Sequence, residues 1–228
     1  MDIAKHIEHT LLKPGATEKD IKQLIDEAYE YKFFGICINP NFVKFARKYI
    51  DDKKADLGQK GVLAPEIKLV TVVNFPLGTN SMDTTLVQVH QAINEGADEI
   101  DTVINLSAIK MGDYKKVSDE IKTIKNVCGK RNLKVILEVD LLTKDEIKKA
   151  CLNCITAGAD FVKTSTGFLK NGLGATTENI RLMSDTVSKR GMGVKASGGI
   201  RTRVQAIDLI NAGADRLGTS SGVAIMKY

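Results

Sequence analysis

A chain of 228 residues that is 43% hydrophobic can bury one substantial core, and about 200–250 residues is a common size for a single α/β barrel domain. Lysine and arginine outnumber acidic residues by 33 to 28, a formal charge of +5, but the basic residues are dispersed and aromatics make up only 5%. This excludes the basic patch with stacking aromatics that nucleic-acid binding uses, while a mild positive balance suits anionic small molecules. No apolar run spans a bilayer, the N-terminal region has no long apolar h-region, and four irregularly spaced cysteines do not make a disulfide framework. The expectation is a soluble, cytoplasmic protein.

Taken in chain order, the elements alternate. EHTLL at 8–12 is a strand-like run, followed by TEKDIKQLIDEAYEY at 17–31, where Ile21, Leu24, Ile25, Ala28 and Tyr29 form one helical face behind a Thr17 cap. Strand composition returns in FFGICIN at 33–39 and EIKLVTVVNF at 66–75. It returns again after three near-identical junctions: NEGADEIDTVIN at 94–105, TAGADFVKTST at 156–166 and NAGADRLGTSS at 211–221. In each junction a helical pattern ends at a glycine suited to a left-handed cap, and a β-rich run starts two residues later. NLKVILEV at 132–139 and GMGVKASGG at 191–199 complete a set of eight strands. With no linker or low-complexity segment, the prediction is one domain, residues 1–228, folded as a (β/α)8 TIM barrel. A doubly wound open sheet is the alternative.

In such a barrel, chemistry gathers at the C-terminal ends of the strands. Three charged residues interrupt the apolar runs of later strands: Asp101 in DEIDTVIN, Lys163 in DFVKTST and Lys195 in GVKASGG. A lysine facing a core needs a partner, a solvated cavity or a chemical task. One reading is a buried ion network that only fixes the barrel. The other is nucleophilic catalysis. A free lysine is the neutral amine in only about one molecule in 2,500 at pH 7. A neighbouring cation and partial desolvation favour that form, so an amine on strand six or seven is prepared to attack a carbonyl, with Asp101 shuttling protons. Sequence spacing does not tell the two lysines apart. TSTG, SGGIR and GTSSG, at the ends of the last three strands, present backbone N–H groups and hydroxyls suited to a phosphate.

Together with HTLLKP at 9–14 and FPLG at 75–78, the motifs EIDTVIN, FVKTSTGF, GVKASGGIRT and GTSSG resemble those of the deoxyribose-phosphate aldolases, over nearly the whole chain. The resemblance implies a class I aldolase that needs no metal or other cofactor. Such an enzyme reversibly cleaves 2-deoxy-D-ribose 5-phosphate to acetaldehyde and D-glyceraldehyde 3-phosphate. It implies Lys163 as the Schiff-base nucleophile, Lys195 as the neighbour that perturbs it and Asp101 in proton transfer. It also places Gly167, Gly198, Gly199, Ile200, Arg201, Gly218, Ser220 and Ser221 around the phosphate, and suggests a homo-oligomer, dimer or tetramer, with no nucleic-acid or membrane partner. Two stretches depart from the family pattern. LEVDLL at 137–142 carries Val139 and Asp140 where many relatives have small polar residues, and VNFPLG replaces VGFPLG. These bear on fine substrate preference. Tyr228 ends the chain, as a tyrosine ends the tail of some longer relatives.

The remaining candidates have plainer readings. Cys37, and the Cys151 and Cys154 of a CxxC, are expected to be packing thiols, and His6, His9 and His90 are too scattered for a metal site. Lys68 and Lys134 open their strands, at the end of the barrel opposite the chemistry, and are expected to be solvated or paired. Two other functions compete: a phosphosugar isomerase or lyase using acid–base chemistry alone, and a catalytically silent binding protein.

Overall fold

In the computed structural model, which describes residues 2–227, eight parallel strands close into a barrel in strict chain order. The strands are β1 (Ile7–Leu11), β2 (Gly35–Ile38), β3 (Lys68–Val73), β4 (Glu99–Val103), β5 (Asn132–Ile136), β6 (Phe161–Lys163), β7 (Gly193–Ser197) and β8 (Arg216–Thr219), with β8 pairing back onto β1. An open sheet is therefore ruled out. The helices are α1 (Glu18–Tyr31), α2 (Val43–Gln59), α3 (Met82–Asn94), α4 (Leu106–Lys110), α5 (Tyr114–Cys128), α6 (Lys144–Ala157), α7 (Thr177–Val187), α8 (Arg203–Asn211) and α9 (Gly222–Lys227). Tyr228 lies outside the described residues.

Helix starts follow their caps. Thr17, Thr143 and Thr202 each form a capping box with the residue three positions on, satisfying N–H groups that the first turn leaves without partners. The three glycines of the repeated junctions, Gly96, Gly158 and Gly213, all have positive φ, so the chain leaves each helix through a conformation that a side chain would resist.

The aspartates of those junctions share one task. Asp98, Asp160 and Asp215 donate their backbone N–H groups to the carbonyls of Leu69, Leu133 and Val194, and their carboxylates accept the N–H of those same residues at 2.8 Å each. Each thus ties an odd-numbered strand to the even-numbered strand that follows, at the N-terminal end of the barrel. The GAD repeat is a structural clamp, set away from the end where chemistry is expected.

The main apolar core lies between strands and helices, where Ile36, Leu69, Ile100, Leu133, Val162, Val194 and Leu217 pack beneath the helical layer. The barrel interior is different. It holds a small apolar cluster of Leu12, Cys37, Val70 and Val72 with Phe75 against it, together with a set of buried charged side chains. Among the described residues no helix is long and apolar enough to cross a membrane.

Candidate active site

Alternation along parallel strands sends every second side chain inward, and five strands use inward positions for charge: Glu8 on β1, Glu99 and Asp101 on β4, Lys134 on β5, Lys163 on β6 and Lys195 on β7. All are buried. Their formal charges balance, three against three, as burial requires if none is to be left uncompensated.

Asp101 is the hub. Its Oδ2 accepts from Lys163 Nζ at 2.8 Å and from Lys195 Nζ at 2.7 Å, while its Oδ1 accepts from Lys134 Nζ at 3.1 Å. Lys195 also donates to Glu8, and Lys134 contacts Glu99 at 2.6 Å and Glu8 at 3.5 Å. Burial alone would raise the Asp101 pKa, but the three lysines outweigh it and hold the carboxyl well below its ordinary value. For Lys195 and Lys134 burial works downward, and the carboxylates of Asp101 and Glu8 reverse it, leaving both pKa values above the ordinary lysine value. At neutral pH, Lys195 is a fixed cation and Asp101 a fixed anion.

Lys134 lies elsewhere than its position near the start of a strand suggests. It pairs in register with Asp101 and is fully buried inside the barrel as a member of the charged network. Strands in a barrel are staggered, so the third residue of β5 sits level with the third of β4. Lys68, in contrast, does face the rim, paired with Glu66 at 2.6 Å.

Above the network opens a cavity of about 530 Å³, and of the three lysines only Lys163 lines it. Lys163 is the last residue of β6, paired with Ile136 on one side and Lys195 on the other, so its nitrogen reaches the mouth while Lys195 and Asp101 remain below. Gly167, Gly198, Gly199, Ile200, Arg201, Gly218, Ser220 and Ser221 all border the same cavity, and Lys13, Thr10 and Thr166 join them. Lys13, in the HTLLKP motif, is a second cation of the cavity lining besides Arg201.

Of the three hydroxyls of the TSTG turn, those of Thr164 and Thr166 are committed, while that of Ser165 is buried without a partner among the described residues. Thr164 Oγ1 donates to the Ser197 carbonyl at 2.8 Å and accepts the Ser197 N–H at 2.9 Å, while Ser197 Oγ donates to the Ser165 carbonyl. These bonds stitch the end of β6 to the end of β7, so Thr164 and Ser165 hold the wall in place and are buried within it. Thr166 is held by Glu138, whose carboxylate accepts the Thr166 N–H at 3.2 Å as well as its hydroxyl. Glu138 adopts a left-handed φ of 53°, a strained conformation for this residue beside a functional site. On the β8 side, Thr219 Oγ1 donates to the Ile200 carbonyl at 2.7 Å and accepts the Ser221 N–H at 2.9 Å.

Cys37 is fully buried near the network, and burial raises its thiol pKa. Glu8, Cys37 and Asp101 are the one trio among the described residues whose ligand atoms converge as for a metal, but Lys195 already bridges its two carboxylates. Cys151 and Cys154 pack in the core from α6, and the Cys151 thiol is pushed up to about 12 by burial.

The chain matches the model of the DeoC/LacD family aldolases over residues 5–227. It is 48% identical to a deoxyribose-phosphate aldolase of Thermococcus gammatolerans, over all of this chain and 96% of that protein. It is 47% identical to one of Clostridium botulinum strain Okra, over the full length of both. Among solved structures it resembles a deoxyribose phosphate aldolase of Aeropyrum pernix described as having a unique tetrameric structure, with a TM-score of 0.82 and 35% identity, covering 99% of this chain and 89% of that one.

Proposed function

The chain belongs to the DeoC/LacD family of aldolases, and from this premise we propose that it is a deoxyribose-phosphate aldolase whose Schiff base forms on Lys163. The observation that supports the assignment is that Lys163 alone of the three lysines borders the cavity, while its nitrogen bonds the same Asp101 oxygen as Lys195.

The proposed chemistry follows from that arrangement. The Lys163 amine adds to the C1 aldehyde of open-chain 2-deoxy-D-ribose 5-phosphate, and loss of water gives an iminium. As the C3 hydroxyl gives up its proton, the C2–C3 bond breaks, its electron pair flows into the iminium, and D-glyceraldehyde 3-phosphate leaves. Protonation of the enamine at C2, followed by addition of water, releases acetaldehyde and restores the amine. Ammonium and iminium carry the same charge, so the balance of the buried network is the same before and after imine formation. Asp101, ionised and bonded through one oxygen to both Lys163 and Lys195, is assigned the relay of protons to and from the reacting atoms, with Lys195 fixing its position.

The remaining assignments are part of the same proposal: residues 1–228 as a single catalytic domain, the glycine and serine turns of β6, β7 and β8 around the phosphate, and a homo-oligomer, dimer or tetramer, in the cytoplasm. A phosphosugar isomerase needs a poised carboxylate but has no use for two lysines on one carboxylate oxygen. Borohydride reduction in the presence of substrate, followed by peptide mass mapping, tests the mechanism. An adduct on Lys163 is expected; trapping on Lys195, or none with substrate being turned over, overturns the assignment.

A further inference from the structure

The loop between β6 and α7 reaches back over the end of β7. Gly174, at φ 68°, lies so close to the turn of β7 that a Cβ there would sit 2.6 Å from the Gly198 carbonyl carbon, and Ala175 N–H donates to the Gly198 carbonyl at 3.1 Å. Gly199 approaches the same loop, with its own Cβ position 3.3 Å from the Leu173 carbonyl oxygen. Gly198 and Gly199 border the cavity. Among the described residues, the side-chain hydrogen bonds to the backbone of 169–175 all come from one group, the Asp140 carboxylate, which accepts from Leu173 N–H at 3.2 Å and Gly174 N–H at 2.9 Å. Asp140 belongs to the LEVDLL stretch at 137–142.

We propose that Asp140 is a positioning residue for the anion-binding end of the pocket, holding the β6–α7 loop against Gly198 and Gly199 and so setting how tightly a phosphate group is gripped. The proposal deepens the functional reading above and rests on its phosphate end. Two N–H donors on one carboxylate fix both the height and the angle of the loop. Backbone packed on backbone passes that placement directly to the glycine turn, because no side chain lies between to absorb a shift. Asp140 itself does not border the cavity and acts only through the loop.

The test uses the full chain, with inorganic phosphate as the probe in calorimetry, for wild type, Asp140→Ala and Asp140→Asn. Asp140→Ala is expected to weaken phosphate binding about tenfold, the scale of one lost hydrogen bond, and Asp140→Asn, which keeps one acceptor oxygen, is expected to weaken it less. In the same variants KM for the phosphorylated sugar rises in parallel while kcat stays within about threefold of wild type, and the Leu173 and Gly174 amides exchange faster with solvent. If Asp140→Ala does not fold, Asp140→Asn carries the comparison. Phosphate affinity unchanged despite faster exchange at these two amides overturns the proposal, as does an equal loss of kcat on phosphorylated and unphosphorylated sugars. A wild type that binds phosphate yet cleaves no 2-deoxy-D-ribose 5-phosphate overturns the substrate assignment instead, and the phosphate comparison still decides the role of Asp140.

Discussion

At the scale of single residues, the roles proposed for Lys163 and Lys195 separate by what each touches. Lys163→Ala and Lys163→Arg both remove the amine that forms the imine, so retro-aldol turnover is expected to vanish in each; measurable steady-state cleavage by either purified variant would take the nucleophile's role away from Lys163. Lys195 never reaches the cavity, and its effect runs through Asp101. Lys195→Met removes one of the three cations that hold the Asp101 carboxyl below its ordinary value, so that pKa must rise towards the usual carboxylate range. Because Asp101 works as the anion, the acid limb of the kcat profile should move to higher pH, towards the ordinary carboxylate value of about 4, while at neutral pH the carboxyl stays ionised and kcat falls only through the loss of the Lys195 hydrogen bond that fixes its position. A variant whose acid limb stays where the wild type has it would show that Lys195 does not govern Asp101. The departure at Asn74 has a simpler explanation. Its φ is 50°, a left-handed conformation that asparagine tolerates better than most residues. Its side chain accepts the Asn80 N–H at 2.9 Å, so asparagine both adopts this conformation and braces the loop.

At the scale of elements, the GAD junctions show both what the sequence makes legible and where it stops. The threefold repeat reveals the helix ends and strand starts, since a left-handed glycine and an aspartate that pairs with a neighbouring strand are local features. Asp101, Lys163 and Lys195 are equally visible, because each breaks an apolar run. Glu8 and Lys134 are not. Glu8 lies in HIEHT, where polar neighbours hide it, and Lys134 looks solvated because its depth depends on the stagger between strands, which no single segment records. The hydroxyls of Thr164 and Thr166 in TSTG read as ligand-facing for a similar reason: their partners, the Ser197 carbonyl at the end of β7 and the Glu138 carboxylate after β5, lie far away in the chain. Replacing the junction aspartates tests the clamp. Asp98→Ala, Asp160→Ala and Asp215→Ala each strand a strand N–H at the barrel's N-terminal end, at a cost of about 1–3 kcal/mol, while kcat is unchanged. Urea unfolding gives the first quantity and steady-state assays the second, and a variant that loses kcat without losing stability would move its aspartate from the clamp into the site.

At the scale of the whole molecule, the barrel interior trades apolar packing for a balanced set of charges, and its behaviour follows from that balance. The folded pKa of Asp101 is depressed, so its contribution is fully present above the unfolded value near 4 and is lost only as pH falls through the lower folded value. The folded pKa values of Lys134 and Lys195 are raised, so theirs are fully present below about 10.4 and are lost as pH rises beyond it. Between these limits Asp101, Lys134 and Lys195 make no pH-dependent contribution, and the stability these three set should be flat from about pH 5 to 10. Breaking the balance is a different matter. Glu8→Gln leaves Lys195 and Lys134 sharing too few carboxylates, and Lys134→Met leaves Glu8, Glu99 and Asp101 with too few cations; each is expected to cost about 3–5 kcal/mol because an uncompensated charge remains buried. Combined in one chain, the two substitutions remove one charge of each sign and restore the balance. The double variant should therefore lose less than the sum of the two, with a coupling of about 1–3 kcal/mol in a urea-unfolding cycle, the range found for residues within one network. Simple additivity would mean that the carboxylate and the lysine act independently and that charge balance does not govern this interior.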